Sequence, residues 1–297
     1  PFSSSAEESV KTYGDLSYIT LDSDGDGTDD YAQIVDCNET AVEVDIPAEI
    51  EGLPVKSTRD WAFADCKSLT SISVPDSVNA IGNGAFSGCS SLASINIPNS
   101  VTTIRGSAFC NCLSLTSITI PESVTSIIEG AFAYCSNLIT VKIPDSVTDI
   151  TDKTFYVCSS LTSVTIPDSV THIGYNAFKY CKNLTSIIIK NPNCEISNGK
   201  NTIWETATIY GYENSTAQAY AETYDRKFVL LIEYTETILG DISGNGKIDL
   251  YDAIEIAKAI MGLRTFTDEE MIIADFNMDG TVDLYDAIEI ARTLLPK

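Results

Sequence analysis

The chain has 297 residues, 44% of them hydrophobic, and 42 acidic against 18 basic side chains give it a formal net charge of −24. A surface this acidic argues against nucleic acid or anionic membrane as partners, and no apolar run of about 20 residues is present to insert in a bilayer. The length has room for two modules and a sizeable core.

The opening Pro1-Phe-Ser carries no secretory leader, so a mature form is expected. Residues 1–60 predict a cap of β-hairpins, with strands at Leu16 to Leu21, Tyr31 to Val35 and Ala41 to Ile46. Between the first two lies Asp22-Ser-Asp24-Gly25-Asp26-Gly27-Thr28-Asp29-Asp30. It has oxygen side chains at positions 1, 3, 5 and 9 of a calcium loop, but Asp29 at position 8 and Gln33 at position 12. A calcium ion near Asp22–Asp26 is the weaker reading there, because a hairpin turn explains the glycines equally well.

From residue 62 the chain is periodic. Ala62-Phe63, Ala85-Phe86, Ala108-Phe109, Ala131-Phe132, Thr154-Phe155 and Ala177-Phe178 recur every 23 residues without insertion or deletion. Each is followed by a cysteine: Cys66, Cys89, Cys112, Cys135, Cys158 and Cys181. Strand-like segments such as Leu69-Thr-Ser-Ile72-Ser-Val74-Pro75 come next, with apolar residues alternating. One such coil cannot bury its own apolar edge, whereas stacked neighbours make a continuous core. A period of about 20–29 residues with this patterning is a leucine-rich-repeat signature. The recurring x-Ile-Gly-x-x-Ala-Phe-x-x-Cys-x-x-Leu-x-x-Ile-x-Ile-Pro resembles the bacterial surface-antigen type of that repeat over about 40–235. The resemblance implies a leucine-rich-repeat solenoid of short parallel β-strands with turns and short helices, capped at both ends. The in-phase cysteines predict an inward ladder of reduced thiols, packed as small hydrophobes. Nine cysteines cannot all pair, and Cys37, Cys110 and Cys194 are off phase with no assigned place or redox state.

Outward strand positions such as Ser71, Ser94, Asn96, Ser117 and Thr119 are small and neutral, which predicts a smooth solvated sheet. Tyr134, Tyr156, Tyr175 and Tyr180 gather on the turn side of the last three repeats, where they either anchor a ligand or fill gaps between coils. The single histidine, His172, is expected at the surface with no Ser-His-Asp, Cys-His or zinc set around it. Acidic residues such as Asp76, Asp145 and Asp168 occupy repeated Pro-Asp-Ser turns between strands, a structural role, so no catalytic residue is assigned. A C-terminal cap over 191–236 is predicted from Ile209-Tyr210-Gly-Tyr212, a helix near Ser215 to Tyr224 and a strand at Phe228 to Ile232. The first module is thus read as 1–236 and the second as 237–297.

The second module contains two copies of one loop, 34 residues apart. The first places Asp241, Ser243, Asn245, Lys247, Asp249 and Asp252 at positions 1, 3, 5, 7, 9 and 12. The second places Asp275, Asn277, Asp279, Thr281, Asp283 and Asp286 there. Each has glycine at position 6, Gly246 or Gly280, where a calcium loop turns sharply, and position 7 contributes its backbone carbonyl. Acidic turns are the plain alternative, but two copies in register, each entering Asp-Ala-Ile-Glu-Ile-Ala, argue against coincidence. Two Ca²⁺ ions are therefore expected.

Tyr234 to Leu239 is short and rich in β-branched residues, so no helix enters the first loop and each unit is half an EF-hand. A capping box at Thr267-Asp-Glu-Glu270 predicts a short middle helix through Ala274. These residues resemble the dockerin module of cellulosome-type assemblies. The resemblance implies calcium-dependent binding to a cohesin module of a scaffoldin, and so a secreted protein, extracellular or held at a cell surface through the scaffoldin. Leu250, Tyr251 and Ile254 in one repeat, and Leu284, Tyr285 and Ile288 in the other, offer equivalent apolar-aromatic patches, with Lys258 and Arg292 at the rim. Leu-Tyr replaces the small hydroxyl residues of the best-known subtype, which leaves the cohesin class open. The repetition allows docking in two orientations related by a half-turn. The solenoid's ligand, protein or polysaccharide, stays open. The alternative reading makes the solenoid a polysaccharide-active enzyme or protease inhibitor delivered to the same complex.

Overall fold

The structure, a computed structural model, describes residues 9–231, 242, 250–263, 265–266, 274 and 282–293. Its contacts divide the chain into two compact units, Pro1–Leu231 and Ile232–Lys297.

The first unit opens with Lys11–Tyr13, Leu16–Leu21 and Tyr31–Cys37 in antiparallel succession. Tyr31–Cys37 then pairs in parallel with Leu53–Thr58, which folds back on Glu49–Ile50. The third expected hairpin strand behaves differently. Glu43–Asp45 pairs in parallel with Ser71–Ser73 and begins the solenoid sheet, because there Val44 aligns with the buried Ile72 of the next coil.

Each coil then lays a strand on the one before. One stack runs through Ser71–Ser73, Ser94–Ile95, Ser117–Thr119, Thr140–Lys142, Ser163–Ile166, Ser186–Ile189, Thr208–Gly211 and Phe228–Leu230. Its strands pair in parallel, Val164 with Ile187 and Ile118 with Val141 among them. A second stack joins Thr103–Ile104, Ser126–Ile127, Asp149–Ile150, His172–Ile173 and Glu195–Ile196, aligning Ile104, Ile127, Ile150, Ile173 and Ile196.

The arm between the stacks is a run of turns, and among the described residues the unit's one α-helix is α1, Thr216–Thr223, N-capped by Ser215. The reason is in the backbone. Every coil places two residues in the left-handed region, from Trp61 and Asp65 to Asn176 and Tyr180, with φ between +53° and +77°. Such residues interrupt a right-handed helix.

Inside, Phe63, Phe86, Phe109, Phe132, Phe155 and Phe178 are wholly buried and stack in one column, centroids 5.0–5.6 Å apart and planes within 19° of parallel. Beside them runs the cysteine ladder, with all nine thiols free. Cys89 Sγ donates to Phe63 O at 3.0 Å, Cys112 to Phe86 O at 3.2 Å, and Cys135, Cys158 and Cys181 repeat the contact at 3.1 Å. A small apolar side chain with one weak donor suits a site that must be filled and must also satisfy an interior carbonyl. Of the off-phase cysteines, Cys37 and Cys194 are buried and Cys110 is half-buried.

Phe109→Ala opens a void in the middle of the column and should cost about 3–5 kcal/mol in chemical unfolding. Burial pushes the thiols of Cys89, Cys135 and Cys181 up to about 12. Below the ordinary thiol value both folded and unfolded states keep these protons. Above it only the unfolded state loses them, so stability should fall as pH rises towards about 12. Melting curves of the protein and of a Cys135→Ala variant across that window check this: the variant should lose less with pH.

Candidate functional site

In the second unit, α2 (Leu250–Ile260) and α3 (Leu284–Thr293) start with the same eight residues. The apolar spacing puts Ala253 and Ile256 of α2, and Ala287 and Ile290 of α3, into a small core with Ile242 and Ala274. Phe266 and Val282 pack against it. Among the described residues this core has six buried side chains, four of them on the two helices.

Position 12 of each loop falls in the first turn of its helix. There Asp252 and Asp286 have no solvent exposure, although both are carboxylates. Asp283 N–H donates to Asp286 Oδ2 at 2.9 Å, the reciprocal bond of a capping box, with Asp283 itself half-buried. Burying a carboxylate is costly without hydrogen bonds or a cation close by. The loop sequences that end at these two groups are rich in oxygen side chains, which is the chemistry of a hard divalent ion, and those residue types fit Ca²⁺. Asp241, Ser243, Asn245, Lys247, Asp249, Asp275, Asn277, Asp279 and Thr281 lie outside the described residues, as does the middle helix apart from Ala274.

Four of the residues expected at a partner surface are exposed. Leu250 is 63% exposed and Leu284 57%, with Ile254 and Ile288 one turn on at 43% and 36%. Tyr251, Tyr285 and Arg292 lie on the helices, but their side chains are outside the described set. Lys258, expected at a charged rim, bridges within its own helix to the buried Glu255 at 2.6 Å.

One apolar strip was missed from sequence. Beyond α2 the chain closes in a Schellman turn: Gly262, at φ +70°, donates to Ala259 O and Leu263 N donates to Lys258 O. The turn leaves Ile260, Met261 and Leu263 exposed. A helix-ending glycine among apolar residues is the signal that could have found it.

Elsewhere, two smaller groupings bear on function. Asp22, Asp24 and Asp30 converge, but Asp26 does not join them and bonds Thr28 instead. Asp22 already accepts the N–H groups of Gly27 and Gly25, and Asp30 accepts the hydroxyl and the N–H of Ser23, which hold both carboxyls below their ordinary value. This is turn chemistry. His172, expected at the surface, is half-buried with Nε2 3.0 Å from the Ser197 hydroxyl of the next coil. No carboxylate bonds its other ring nitrogen among the described residues, so the third member of a triad is missing there. Sequence reading missed the pair because its members stand 25 residues apart and meet only through coil stacking.

No described helix is long and apolar enough to cross a membrane. Residues 55–199 match the BspA type leucine rich repeat region in six copies, and residues 239–295 match the dockerin type I domain. No curated protein matches the chain. Among solved structures, the chain is similar to a leucine rich repeat protein of T. pallidum, at 29% identity and TM-score 0.56, over 74% of this chain and 97% of that one. A leucine-rich repeat protein from Bacteroides capillosus is 31% identical over 45% of this chain and 97% of that one, with TM-score 0.40. One from Bacteroides ovatus is 23% identical over 74% and 76%, with TM-score 0.43. The repeats every 23 residues and the paired loop-helix units thus have one explanation: the chain is a BspA-type leucine-rich-repeat region joined to a dockerin type I domain.

Proposed function

We propose that this is a non-catalytic, extracellular recognition protein, whose dockerin binds a cohesin on a scaffoldin only when calcium is present. The dockerin spans 237–297, and the solenoid spans 1–236 with caps at 1–60 and 191–236. Through the scaffoldin the solenoid joins a cellulosome-type complex.

The observation that carries this reading is the duplicated ridge. Leu250 with Ile254, and Leu284 with Ile288, stand exposed at equivalent positions of two identical helix starts. Large apolar side chains held outward in pairs are typical anchors for a protein partner. The buried position-12 carboxylates Asp252 and Asp286 link that ridge to the metal. One Ca²⁺ in each loop would take the carboxylates, side-chain oxygens and position-7 carbonyls of the twelve residues Asp241 to Asp252 and Asp275 to Asp286. It would offset their charge and seat each helix start. Metal affinity would then become folding free energy.

Removing calcium should therefore melt the dockerin unit and abolish cohesin capture, while the solenoid keeps its own transition. Calorimetry and a cohesin-panel pull-down with and without chelator read both, and capture that survives complete metal removal would refute the dependence. The two-orientation docking has a sharper signature. Leu250→Ala or Leu284→Ala alone should cost about twofold or less, since the other repeat can still dock. The double variant should lose about 100-fold, the scale of a lost hot spot. Equal losses in single and double variants would show that one repeat does all the binding.

The contact between His172 and Ser197 favours a second reading, in which the solenoid is a polysaccharide-active enzyme or protease inhibitor. Polysaccharide hydrolysis or protease inhibition by the full chain, lost in Ser197→Ala, would favour it.

A further inference from the structure

On the turn face of the solenoid, a groove of about 660 Å³ runs across successive coils from Trp61 to Asn176. We propose that it binds a neutral, extended, β-linked oligosaccharide.

Aromatic side chains stand along it. Trp61 is 56% exposed, and its indole lies against Gly84 so closely that a Cβ there would sit 2.1 Å from the ring. One face of the indole is therefore seated on backbone while much of the side chain stays open to solvent. Tyr134, 43% exposed, packs edge-on against Tyr156 with ring centroids 5.3 Å apart. That row continues through Tyr180 to Trp204 along the arm. The floor between the aromatics is small, with Gly106, Gly130 and Ala133.

The backbone points the same way. Trp61, at φ +65°, occupies the coil position held by Gly84 and Gly130 in later coils. Tyr134, at φ +62°, occupies the position of Gly88. A bulky side chain is disfavoured in the left-handed region, where glycine sits freely. Trp61 and Tyr134 stand in that geometry and are displayed instead of buried.

The polar lining selects the ligand. Asn176 is 92% buried and lines the groove, yet its carboxamide makes no side-chain hydrogen bond among the described residues. An amide that lines the groove suits a ligand that both donates and accepts, as hydroxyl groups do. The one ion pair at the rim, Glu129 with Lys153 at 2.9 Å, neutralises itself. A net charge of −24 disfavours acidic sugars. Flat aromatic faces match the C–H faces of pyranose rings.

This inference deepens the reading of the solenoid as the recognition module and does not depend on cohesin docking. The test uses the full chain and calorimetric titration with β-1,4-linked gluco- and manno-hexasaccharides, beside an acidic β-linked hexasaccharide. At least one neutral sugar should bind saturably and slow the labelling of Cys110, the half-buried thiol that lines the groove. Trp61→Gly, Tyr134→Gly and Asn176→Ala should each weaken binding about tenfold or more. The two glycine variants should keep Tm, because glycine suits their backbone. Absence of saturable neutral binding, an acidic sugar binding as tightly, or Tyr134→Gly lowering Tm without weakening binding would each overturn the proposal. Cohesin capture measured on the same samples keeps its failure separate from that of the docking reading.

Discussion

Everything in the solenoid depends on one requirement: each coil must meet its neighbour at the same position on every side. Both strand stacks pair from coil to coil, and the turn arm does the same, with Phe63 N–H bonding Ala85 O and Phe86 N–H bonding Ala108 O, both at 2.8 Å. Serines complete the third corner, where Ser123, Ser146 and Ser169 bond the carbonyls of Val101, Val124 and Val147. A single inserted residue would break all of these ladders at once and leave buried polar groups without partners. That explains the uninterrupted 23-residue period across six coils. It also explains why the interior is columns of one residue type, since equivalent positions have equivalent surroundings.

The same requirement sorts strain from function. With the backbone path set by stacking, two positions per coil are left-handed whatever residue occupies them. Some coils place Gly84, Gly88 or Gly130 there, which costs little. Others place Trp61, Tyr134, Val157 and Tyr180, for which the region is disfavoured. The conformation is therefore enforced by neighbours and not chosen locally. Val157 and Tyr180 are half-buried, while Trp61 and Tyr134 are exposed, so the outer pair contributes less to packing and more to what the surface can touch.

The second unit solves a different problem. Among its described residues, six buried apolar side chains hold the two helices together, and two carboxylates are buried at the point where the helices begin. Those carboxylates are unfavourable in an isolated helical hairpin and become favourable when a divalent cation bridges the acidic oxygens. Duplication then has a geometric consequence. Identical helix starts that share one core turn identical ridges outward, so Leu250 and Leu284 have the same surroundings.

Some of this protein was legible in its residues alone. The repeat period, the Ala-Phe and cysteine phases and the loop spacing each encode a local requirement that recurs, and recurrence is what a chain displays without its fold. The stacked parallel strands and the inward cysteine ladder followed from it. Other features belong to tertiary structure, because they arise between residues distant in sequence. The hand-over of Glu43–Asp45 from cap to solenoid is one, and so is the meeting of His172 with Ser197. Periodicity cannot state which left-handed positions face a groove, nor that Trp61 shares that groove with Tyr134, three coils away. Those contacts exist only once the coils are stacked, since stacking alone converts a separation of 23 residues into about one strand width.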